Sequence, residues 1–402
     1  MEKFTTTGDD TLPKCEFTSP NGKSFVGWNT KKDRTGTVYN DQGKINPYSD
    51  TTLYAMWGNE AKVTLVTGAS TEYSTFSAAL KEATKTSGNT LTLLQDVFVT
   101  EVSIPTSAGD FTLDLNGNDL SNTSSGTGYL YTIKNSSANF VIDDSSSSKN
   151  GHIYYTRNED SSLVISNLGN LTIKGGTIEN TGTGEKNYAI RVDSYSDEIT
   201  QLTVQGGTIT SNSNTIELGY KTSITVTDGT ITSKTGNAIH TDPSNTSITV
   251  TGGTITSETG NAISGSDNLI ISGGTITSTQ NYAINYCNKL TLSGAPVISG
   301  KNADICFSNL YFDSNLKNII AGKLEMAPPL KITDGKETTS YYYNTTVFTA
   351  GEGYTITQED VNKLKFVDST GADYKWTISS ATETLIFKLD SSKKAIVIGE
   401  ST

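Results

Sequence analysis

The sequence predicts an all-β solenoid, a chain wound into stacked coils, because one short phrase recurs along it. Each copy is a strand of alternating apolar and polar residues, then two glycines (Asp228-Gly229 in one copy), then a second short strand, as in Leu202–Ile209. Successive copies begin 31, 22, 24 and 21 residues apart, and a recurring period in the twenties is typical of a solenoid. The five copies are Leu171–Ile178, Leu202–Ile209, Ile224–Ile231, Ile248–Ile255 and Leu269–Ile276.

The composition agrees with this fold and excludes some classes of partner. The 402 residues include 37 glycines and are 8% aromatic, which suits many short strands and turns. The net charge of -12 argues against nucleic acid and against an anionic membrane surface, since both require a basic footprint. No apolar run approaches the ~20 residues of a membrane span. We therefore predict no nucleic-acid partner and no membrane insertion within this chain.

Residues 1–58 predict a small β-rich module. Apolar and polar residues alternate in Lys23–Trp28, Thr37–Tyr39 and Thr51–Trp57, and glycines mark the turns between these segments. We expect the aromatic side chains to form one compact core. These side chains are Phe25, Trp28, Tyr39, Tyr54 and Trp57.

Two phrases of this module, Gly27-Trp-Asn-Thr30 and Thr52-Leu-Tyr-Ala-Met-Trp57, resemble the internalin-type B-repeat of bacterial surface proteins. The resemblance covers residues 8–57 and implies a β-grasp-like spacer or adhesion module of an extracellular protein. The family's first strand, with its Gly-Gly turn, is not matched by Phe4–Thr7. Nor do the first four residues have the apolar region of a signal peptide. We expect either that an export signal has been removed or that this is a segment of a longer protein.

Residues 59–90 predict a junction with a short capping helix. Lys62–Val66 alternates as a strand does, and Phe76, Ala79, Leu80 and Ala83 have helical spacing. Ser74 or Thr75 precedes the helix as a cap, and Gly88 follows it as a stop. Such a helix covers the apolar side chains and the unpaired edge at the open end of a solenoid.

Residues 91–325 predict about ten coils. Apolar-polar-apolar triplets begin each coil, from Leu91 to a tenth at Leu310–Phe312, and a stack of ten is ~48 Å long. Each coil supplies three short strands, such as Ile248–Val250, Thr254–Thr256 and Ala262–Ile263. The periodicity fades beyond Pro328-Pro329, so residues 326–402 are predicted to be a C-terminal cap of further strands.

This pattern of coils, glycine turns and a leading helix resembles the right-handed parallel β-helix of pectate-lyase-like proteins and of many bacterial adhesins. The resemblance covers about residues 60–325. It implies the fold more strongly than the function, because the same scaffold hosts lyases, hydrolases and non-catalytic binders.

Several polar residues are interpreted as structural. Asparagines just before the third strand are expected to form an internal ladder of amides. Cys287 and Cys306 lie one coil apart, yet buried thiols are favoured over a disulfide, and Asp143-Asp144 is favoured as a turn over a metal loop. No cofactor or metal site is predicted. The ladder residues are Asn187, Asn237, Asn261, Asn281 and Asn302.

The candidate ligand-binding site lies on the outer face of the third strands. If Ile190, Ile216, Ile239 and Ile263 point inward, a mixed-charge column points outward. Ordinary solvated surface charge is the favoured explanation of such a column, and ligand binding is the next. A lyase-like chemistry would need its base and carboxylates here, but the expected motifs of such enzymes are missing and no residue is predicted to be catalytic. The candidate residues are Arg191, Asp193, Glu217, His240 and Asp242.

Three functional hypotheses follow. The first is a non-catalytic protein of the bacterial cell surface or extracellular medium, an adhesin or glycan-binding β-helix whose partner is a polysaccharide, a host glycan or a surface protein. The second is a polysaccharide lyase or glycoside hydrolase that uses Arg191, Glu217, His240 and Asp242. The third is ice binding, because outward threonines flank the inward isoleucine of each second strand. These threonines are Thr208, Thr210, Thr230, Thr232, Thr254, Thr256, Thr275 and Thr277.

Overall fold

The computed structural model is an all-β parallel β-helix, as the sequence predicts. It describes residues 10–18, 23–31, 37–46, 50–122, 130–136, 139–155, 161–184, 186–241, 245–307, 318–333, 346–367, 373–379 and 384–388. Of the candidate residues, Asp242 lies outside this set, as does Leu310–Phe312, the predicted start of the tenth coil.

The N-terminal module contains two small antiparallel sheets around a buried cluster of Leu12, Trp28 and Ile45. Phe25 packs edge-on between Trp28 and Trp57, with ring centroids 4.9 and 5.4 Å away. The prediction for Tyr54 is wrong: it pairs with Asn29 at the start of its strand, and its side chain is exposed. The strands are β1 (Asp10–Thr11), β2 (Ser24–Asn29), β3 (Val38–Tyr39), β4 (Lys44–Ile45) and β5 (Tyr54–Gly58).

The junction closes the first coil as the sequence predicts. It contains β6 (Ala61–Thr64), β7 (Ser70–Tyr73) and α1 (Phe76–Ala83). Phe76, Ala79 and Ala83 are buried. Thr75 is the N-cap, because its side chain accepts a hydrogen bond from the Ala78 N–H. Glu60 adds a second acceptor, at 2.5 Å from the Phe76 nitrogen. The helix thus gains two acceptors for N–H groups that its own turns cannot satisfy.

Ten coils follow and build three parallel stacks of strands, and the tenth coil adds strands only to the first and third stacks. Coils one to four are β8 (Asn89–Leu93), β9 (Val97–Val99), β10 (Val102–Ile104); β11 (Phe111–Asp114), β12 (Asp119–Asn122), β13 (Leu130–Asn135); β14 (Asn139–Asp143), β15 (His152–Tyr155), β16 (Ser162–Asn167); and β17 (Asn170–Ile173), β18 (Thr177–Asn180), β19 (Tyr188–Val192). The hairpin strand β6 pairs antiparallel with β8 and so covers its edge.

In coils five and six the first and second strands join into one long strand that bends at the glycine corner. These coils are β20 (Thr200–Ser211), β21 (Ile216–Leu218); and β22 (Thr222–Ser233), β23 (Ile239–Thr241). Coils seven to ten are β24 (Ser247–Val250), β25 (Thr254–Ser257), β26 (Ile263–Ser264); β27 (Asn268–Ile271), β28 (Thr275–Ser278), β29 (Ile284–Asn285); β30 (Leu290–Gly294), β31 (Val297–Gly300), β32 (Ile305–Cys306); and β33 (Ile319–Leu324), β34 (Leu330–Thr333).

Parallel pairing extends past residue 325, where the sequence places the end of the coils. The remaining elements are β35 (Thr346–Ala350), α2 (Gln358–Val361), β36 (Leu364–Val367), β37 (Asp373–Ser379) and β38 (Thr384–Lys388). β35 pairs parallel with β33, and β36 pairs parallel with β34. β37 and β38 then pair antiparallel and end the stack.

The core is a set of aliphatic ladders in exact register. Ile248 pairs with Leu269, and Ile255 pairs with Ile276, each one coil above the other. These four side chains have no exposed surface, and full burial of each contributes about 1.5–3 kcal/mol. Alternation therefore fixes which residues point outward at every strand of the stack.

The glycine pair forms the corner between the first and second strands. Gly253 has a φ of +73°, which is unfavourable for other residues. A Cβ on Gly252 would overlap the carbonyl oxygen of Thr227 in the coil below. The corner therefore needs glycine for two reasons, a left-handed turn and a close approach of two backbones.

The predicted asparagine ladder forms only in part, since Asn302 is exposed and the Asn261 amide oxygen accepts no hydrogen bond in the described residues. The amide oxygen of Asn237 accepts from both the backbone and the side-chain nitrogens of Asn261, at 2.9 and 3.1 Å, and Asn302 donates to Asn281. Cys287 and Cys306 are buried and form no disulfide. Burial raises the pKa of the Cys287 thiol to about 12.

Candidate functional site

The third-strand face, the outward side of the third strands, carries the predicted mixed-charge column. Ile190, Ile216 and Ile239 point inward with no exposed surface. The residues that follow them are therefore on the outer side, and Arg191 pairs with Glu217 as Glu217 pairs with His240. Neighbouring strands are ~4.8 Å apart, so these three side chains are direct neighbours.

Arg191 forms a two-point ion pair with Asp193. Its Nε lies 2.8 Å from Asp193 Oδ2, and its Nη2 lies 3.3 Å from Oδ1. The Asp193 side chain is largely buried at 17% exposure, while Arg191 keeps 34%. The fork of the guanidinium matches the carboxylate, which orients Arg191 along the face.

Glu217 and His240 form the second pair of the column. His240 Nδ1 lies 2.9 Å from Glu217 Oε2. Glu217 is 15% exposed and His240 is 33% exposed. Four of the five predicted residues therefore meet on one surface. Each of the four is within hydrogen-bonding distance of another: Arg191 of Asp193, and His240 of Glu217. The face offers fixed polar groups rather than an excess of charge of one sign.

Beside this face, exposed tyrosines project from the turns that follow the third strands. We call Tyr195, Tyr220 and Tyr286 the tyrosine ridge; their exposed fractions are 84%, 54% and 46%. Lys221 Nζ lies 5.5 Å from the centre of the Tyr220 ring and 2.8 Å from Asp197. The candidate residues named from the sequence omit this ridge. The signal available there was a tyrosine in the same turn of three coils.

Tyr286 has an unusual backbone. Its φ is +59°, in the left-handed region that a bulky side chain seldom adopts. The corresponding residue of the preceding coil is Gly265, with a φ of +88°, since Ser264 pairs with Asn285 just before it. An exposed aromatic residue held where glycine serves elsewhere is strained, and such strain is concentrated at functional sites.

The second-strand face, the outward side of the second strands, carries two threonine ranks in unbroken register over coils five to eight. Within each rank, successive threonines are ~4.8 Å apart, one per coil. On each strand, the threonine of one rank is two residues from the threonine of the other. Thr256 and Thr277 are linked through their hydroxyls at 3.1 Å. The ranks are Thr208, Thr230, Thr254, Thr275 and Thr210, Thr232, Thr256, Thr277.

Asp143-Asp144 is a structural turn. The Asp144 carboxylate accepts from the backbone N–H groups of Gly117, Ser146 and Gly151. Burial raises the pKa of Asp144, but these hydrogen bonds outweigh it and hold that pKa below its ordinary value. Across the described ranges, no group of three His, Cys, Asp or Glu side chains is placed to hold a metal ion.

In the part of the chain that the structure describes, neither helix has the length and apolar character needed to cross a membrane.

Comparison with protein-family models, with curated proteins and with solved structures finds no match for the chain. The likeness of residues 8–57 to the B-repeat and of the coils to pectate-lyase-like proteins therefore depends on the sequence motifs alone.

Proposed function

We propose that this chain is a non-catalytic protein displayed on the bacterial surface or secreted, and that it binds an extended polysaccharide along the third-strand face. The tyrosine ridge carries this proposal. Tyr195 and Tyr220 present exposed rings beside a face of paired polar groups. A sugar ring has an apolar side made of C–H groups and hydroxyls around its edge. Rigid aromatic area beside fixed polar groups complements both.

The tyrosines of the ridge are spread over several coils, which favours a polymer over a small ligand. Tyr220 belongs to coil five and Tyr286 to coil eight, so about three strand spacings, ~14 Å, separate them along the axis. That is the length of several sugar units. The resemblance of residues 8–57 to a B-repeat supports an extracellular location, with that module as spacer or adhesion unit.

The enzyme hypothesis is less well supported by the same geometry. A general base must accept a proton from substrate, whereas Glu217 accepts from His240 and Asp193 accepts from Arg191. Each carboxylate is thus already engaged by a neighbour. Neither carboxylate is therefore free to act as the base, and a base on this face would have to be His240, which Glu217 orients.

Affinity electrophoresis against plant, mucin and microbial polysaccharides tests the proposal. We expect at least one polymer to retard the protein while remaining intact in the gel. Replacing Tyr195 and Tyr220 by alanine should abolish most of that retardation. Tyr54→Ala is the matched control, because Tyr54 is an exposed tyrosine of the N-terminal module. Clearing of the polymer would favour the enzyme, and absence of any retardation would overturn glycan binding.

Ice binding is a second candidate, favoured by the two threonine ranks. Regular hydroxyls and methyl groups on a flat sheet form the kind of surface seen in β-solenoid ice-binding proteins. Replacement of Thr230 and Thr254 by tyrosine should then abolish thermal hysteresis. A protein that shows no hysteresis at the outset, or keeps it after these substitutions, is not an ice-binding protein.

A further inference from the structure

Two Asn-Gly dipeptides lie at the corners of neighbouring coils. Asn116-Gly117 is in the turn between β11 and β12, and Asn150-Gly151 is in the turn between β14 and β15 of the next coil. The two turns are in contact, since the backbone N–H of His152 donates to the carbonyl oxygen of Asn118 at 3.2 Å. Both asparagine side chains are exposed, so water has access to them.

Asparagine followed by glycine is the dipeptide in which spontaneous deamidation is chemically easiest. The glycine nitrogen gives its proton to hydroxide and attacks the carbon of the asparagine side-chain amide. The amide nitrogen takes up a proton and leaves as ammonia, which closes a five-membered succinimide ring. Water then opens this ring to aspartate or isoaspartate. Glycine favours the reaction because it has no side chain to hinder the attack and its backbone is unrestricted.

In this protein the Asp144 carboxylate occupies both of the attacking nitrogens. Its Oδ1 accepts from the Gly117 N–H at 2.9 Å, and its Oδ2 accepts from the Gly151 N–H at 2.7 Å. Asp144 has no exposed surface, so little water competes for these hydrogen bonds. The carboxylate also opposes loss of either proton, because the resulting amide anion would lie beside a negative charge. The first step of deamidation is therefore hindered at both dipeptides.

The side chain of Asn150 is better prepared for the reaction than that of Asn116. The Ser148 hydroxyl donates to the Asn150 amide oxygen at 2.5 Å, and such a donor stabilises the negative charge that develops on this oxygen during attack. Asn116 instead donates from its Nδ2 to the carbonyl oxygen of Leu93 at 3.0 Å, which ties its amide group to the preceding coil. Asn150 should therefore be the faster site once its glycine is released.

We propose that Asn116 and Asn150 are latent sites of deamidation that the Asp144 carboxylate keeps unreactive in the folded chain. Reaction at Asn150 would add a negative charge close to Asp144. Isoaspartate would also lengthen the main chain by one carbon atom, in a corner where a Cβ on Gly151 would already overlap Leu115. One buried side chain thus protects the stacking of two coils. This modification chemistry is independent of glycan binding on the third-strand face.

The first test compares the folded wild-type chain with the same chain unfolded in guanidinium chloride. Both samples are incubated at neutral pH, and peptide mass spectrometry locates each conversion of asparagine to aspartate or isoaspartate. We expect Asn116 and Asn150 to react at least about tenfold more slowly in the folded chain, because a hydrogen bond to a charged group must break first. Equal rates in the two samples would overturn the proposal.

Asp144→Asn tests whether the carboxylate is the cause. The amide that replaces it has a single acceptor oxygen, which we expect to stay with the two N–H groups at the Oδ1 position. The new NH2 group then faces Gly151, which loses its acceptor. Asn150 should deamidate about tenfold faster than in the wild type, whereas the rate at Asn116 should change less than about twofold.

Asp143→Asn is the matched control for this variant. It removes the same charge one position away, and the described donor to Asp143 Oδ1 is the Asp144 N–H rather than either glycine. We expect it to leave both rates unchanged. Trypsin cleaves after Lys149, so Asn150 and position 144 fall on different peptides. Unchanged rates in Asp144→Asn would overturn the proposal. Equal acceleration of both sites, with a circular dichroism spectrum that shows the fold intact, would also overturn it.

Discussion

His240 and Glu217 lie on adjacent coils with their Nδ1 and Oε2 atoms 2.9 Å apart. The chain has two histidines, and the other, His152, faces Glu179 of the next coil at 3.1 Å. Both pairs join consecutive coils from outside, whereas the aliphatic ladders join them from inside. The two pairs differ in hydrogen bonding. His240 Nδ1 and Glu217 Oε2 form a hydrogen bond, whereas His152 Nε2 is too poorly aligned with Glu179 to form one.

The Glu217–His240 pair should contribute little to stability. Both side chains keep contact with water, and partly exposed ion pairs contribute about 0.2–1 kcal/mol. A double-mutant cycle of Glu217→Gln and His240→Gln, measured by denaturant unfolding, should give a coupling free energy below ~1 kcal/mol. A coupling above ~2 kcal/mol would mean that the pair is a structural element of the stack rather than part of an adaptable binding face.

The ionised side chain of Asp119 should destabilise the folded state above pH 6. Burial, and then the charge of Asp96, raise the pKa of Asp119 to about 6. The unfolded chain loses this proton near pH 3.8, so between these values the folded state holds more protons and stability falls as pH rises. Asp119→Asn should therefore stabilise the protein at pH 8. We expect a gain of about 1 kcal/mol, because the group is partly exposed and solvent screens its charge.

The gain should disappear at pH 4, where the folded Asp119 is protonated and the asparagine is a close mimic. Thermal unfolding at both pH values measures the difference. Glu258→Gln is the control for the loss of one negative charge at an exposed position. Equal effects of Asp119→Asn at pH 4 and pH 8 would contradict the raised pKa.

Asp144→Ala should be strongly destabilising. The substitution leaves the N–H groups of Gly117, Ser146 and Gly151 without their acceptor. Each lost partner costs about 1 kcal/mol, so we expect a loss of ~3 kcal/mol in the free energy of unfolding. Because the pKa of Asp144 is lowered, its contribution is present above the ordinary value of 3.8 and is lost as pH falls through the folded pKa.

Glu258→Ala is the matched control for this substitution, because it removes an exposed carboxylate to which no described residue donates a hydrogen bond. We expect it to change the free energy of unfolding by less than ~0.5 kcal/mol. If Asp144→Ala were equally mild, the hydrogen bonds to Asp144 would not be the reason that the turn is ordered.

Alternation along the strands carried most of the fold prediction. It identified Ile190, Ile216 and Ile239 as inward residues, and it therefore placed Arg191, Glu217 and His240 on one outer face. The helix was predictable for a similar reason, since Phe76, Ala79 and Ala83 follow its period behind the Thr75 cap. These features depend on local spacing, which the sequence displays directly.

Other features depend on tertiary structure that alternation does not encode. Tyr54 was expected in the core of the N-terminal module but is exposed, because its surroundings depend on how separate strands assemble. The exposure of Tyr220 depends on the path of a turn. In each case the deciding partner is distant in sequence, so spacing within one segment could not reveal it.

Gly252→Ala should destabilise the stack of coils, because the corner glycines set the distance between neighbouring coils. An added Cβ would overlap the Thr227 carbonyl oxygen of the coil below, which is backbone and cannot rotate away. Overpacking of this kind costs about 1–3 kcal/mol. The matched control is Gly322→Ala, whose Cβ would lie at an ordinary 3.5 Å from Ser293 Cβ. We expect the control to change the free energy of unfolding by less than ~1 kcal/mol. Similar losses in both variants would mean that glycine serves here through general backbone freedom, and that contact between Gly252 and Thr227 does not limit the approach of neighbouring coils.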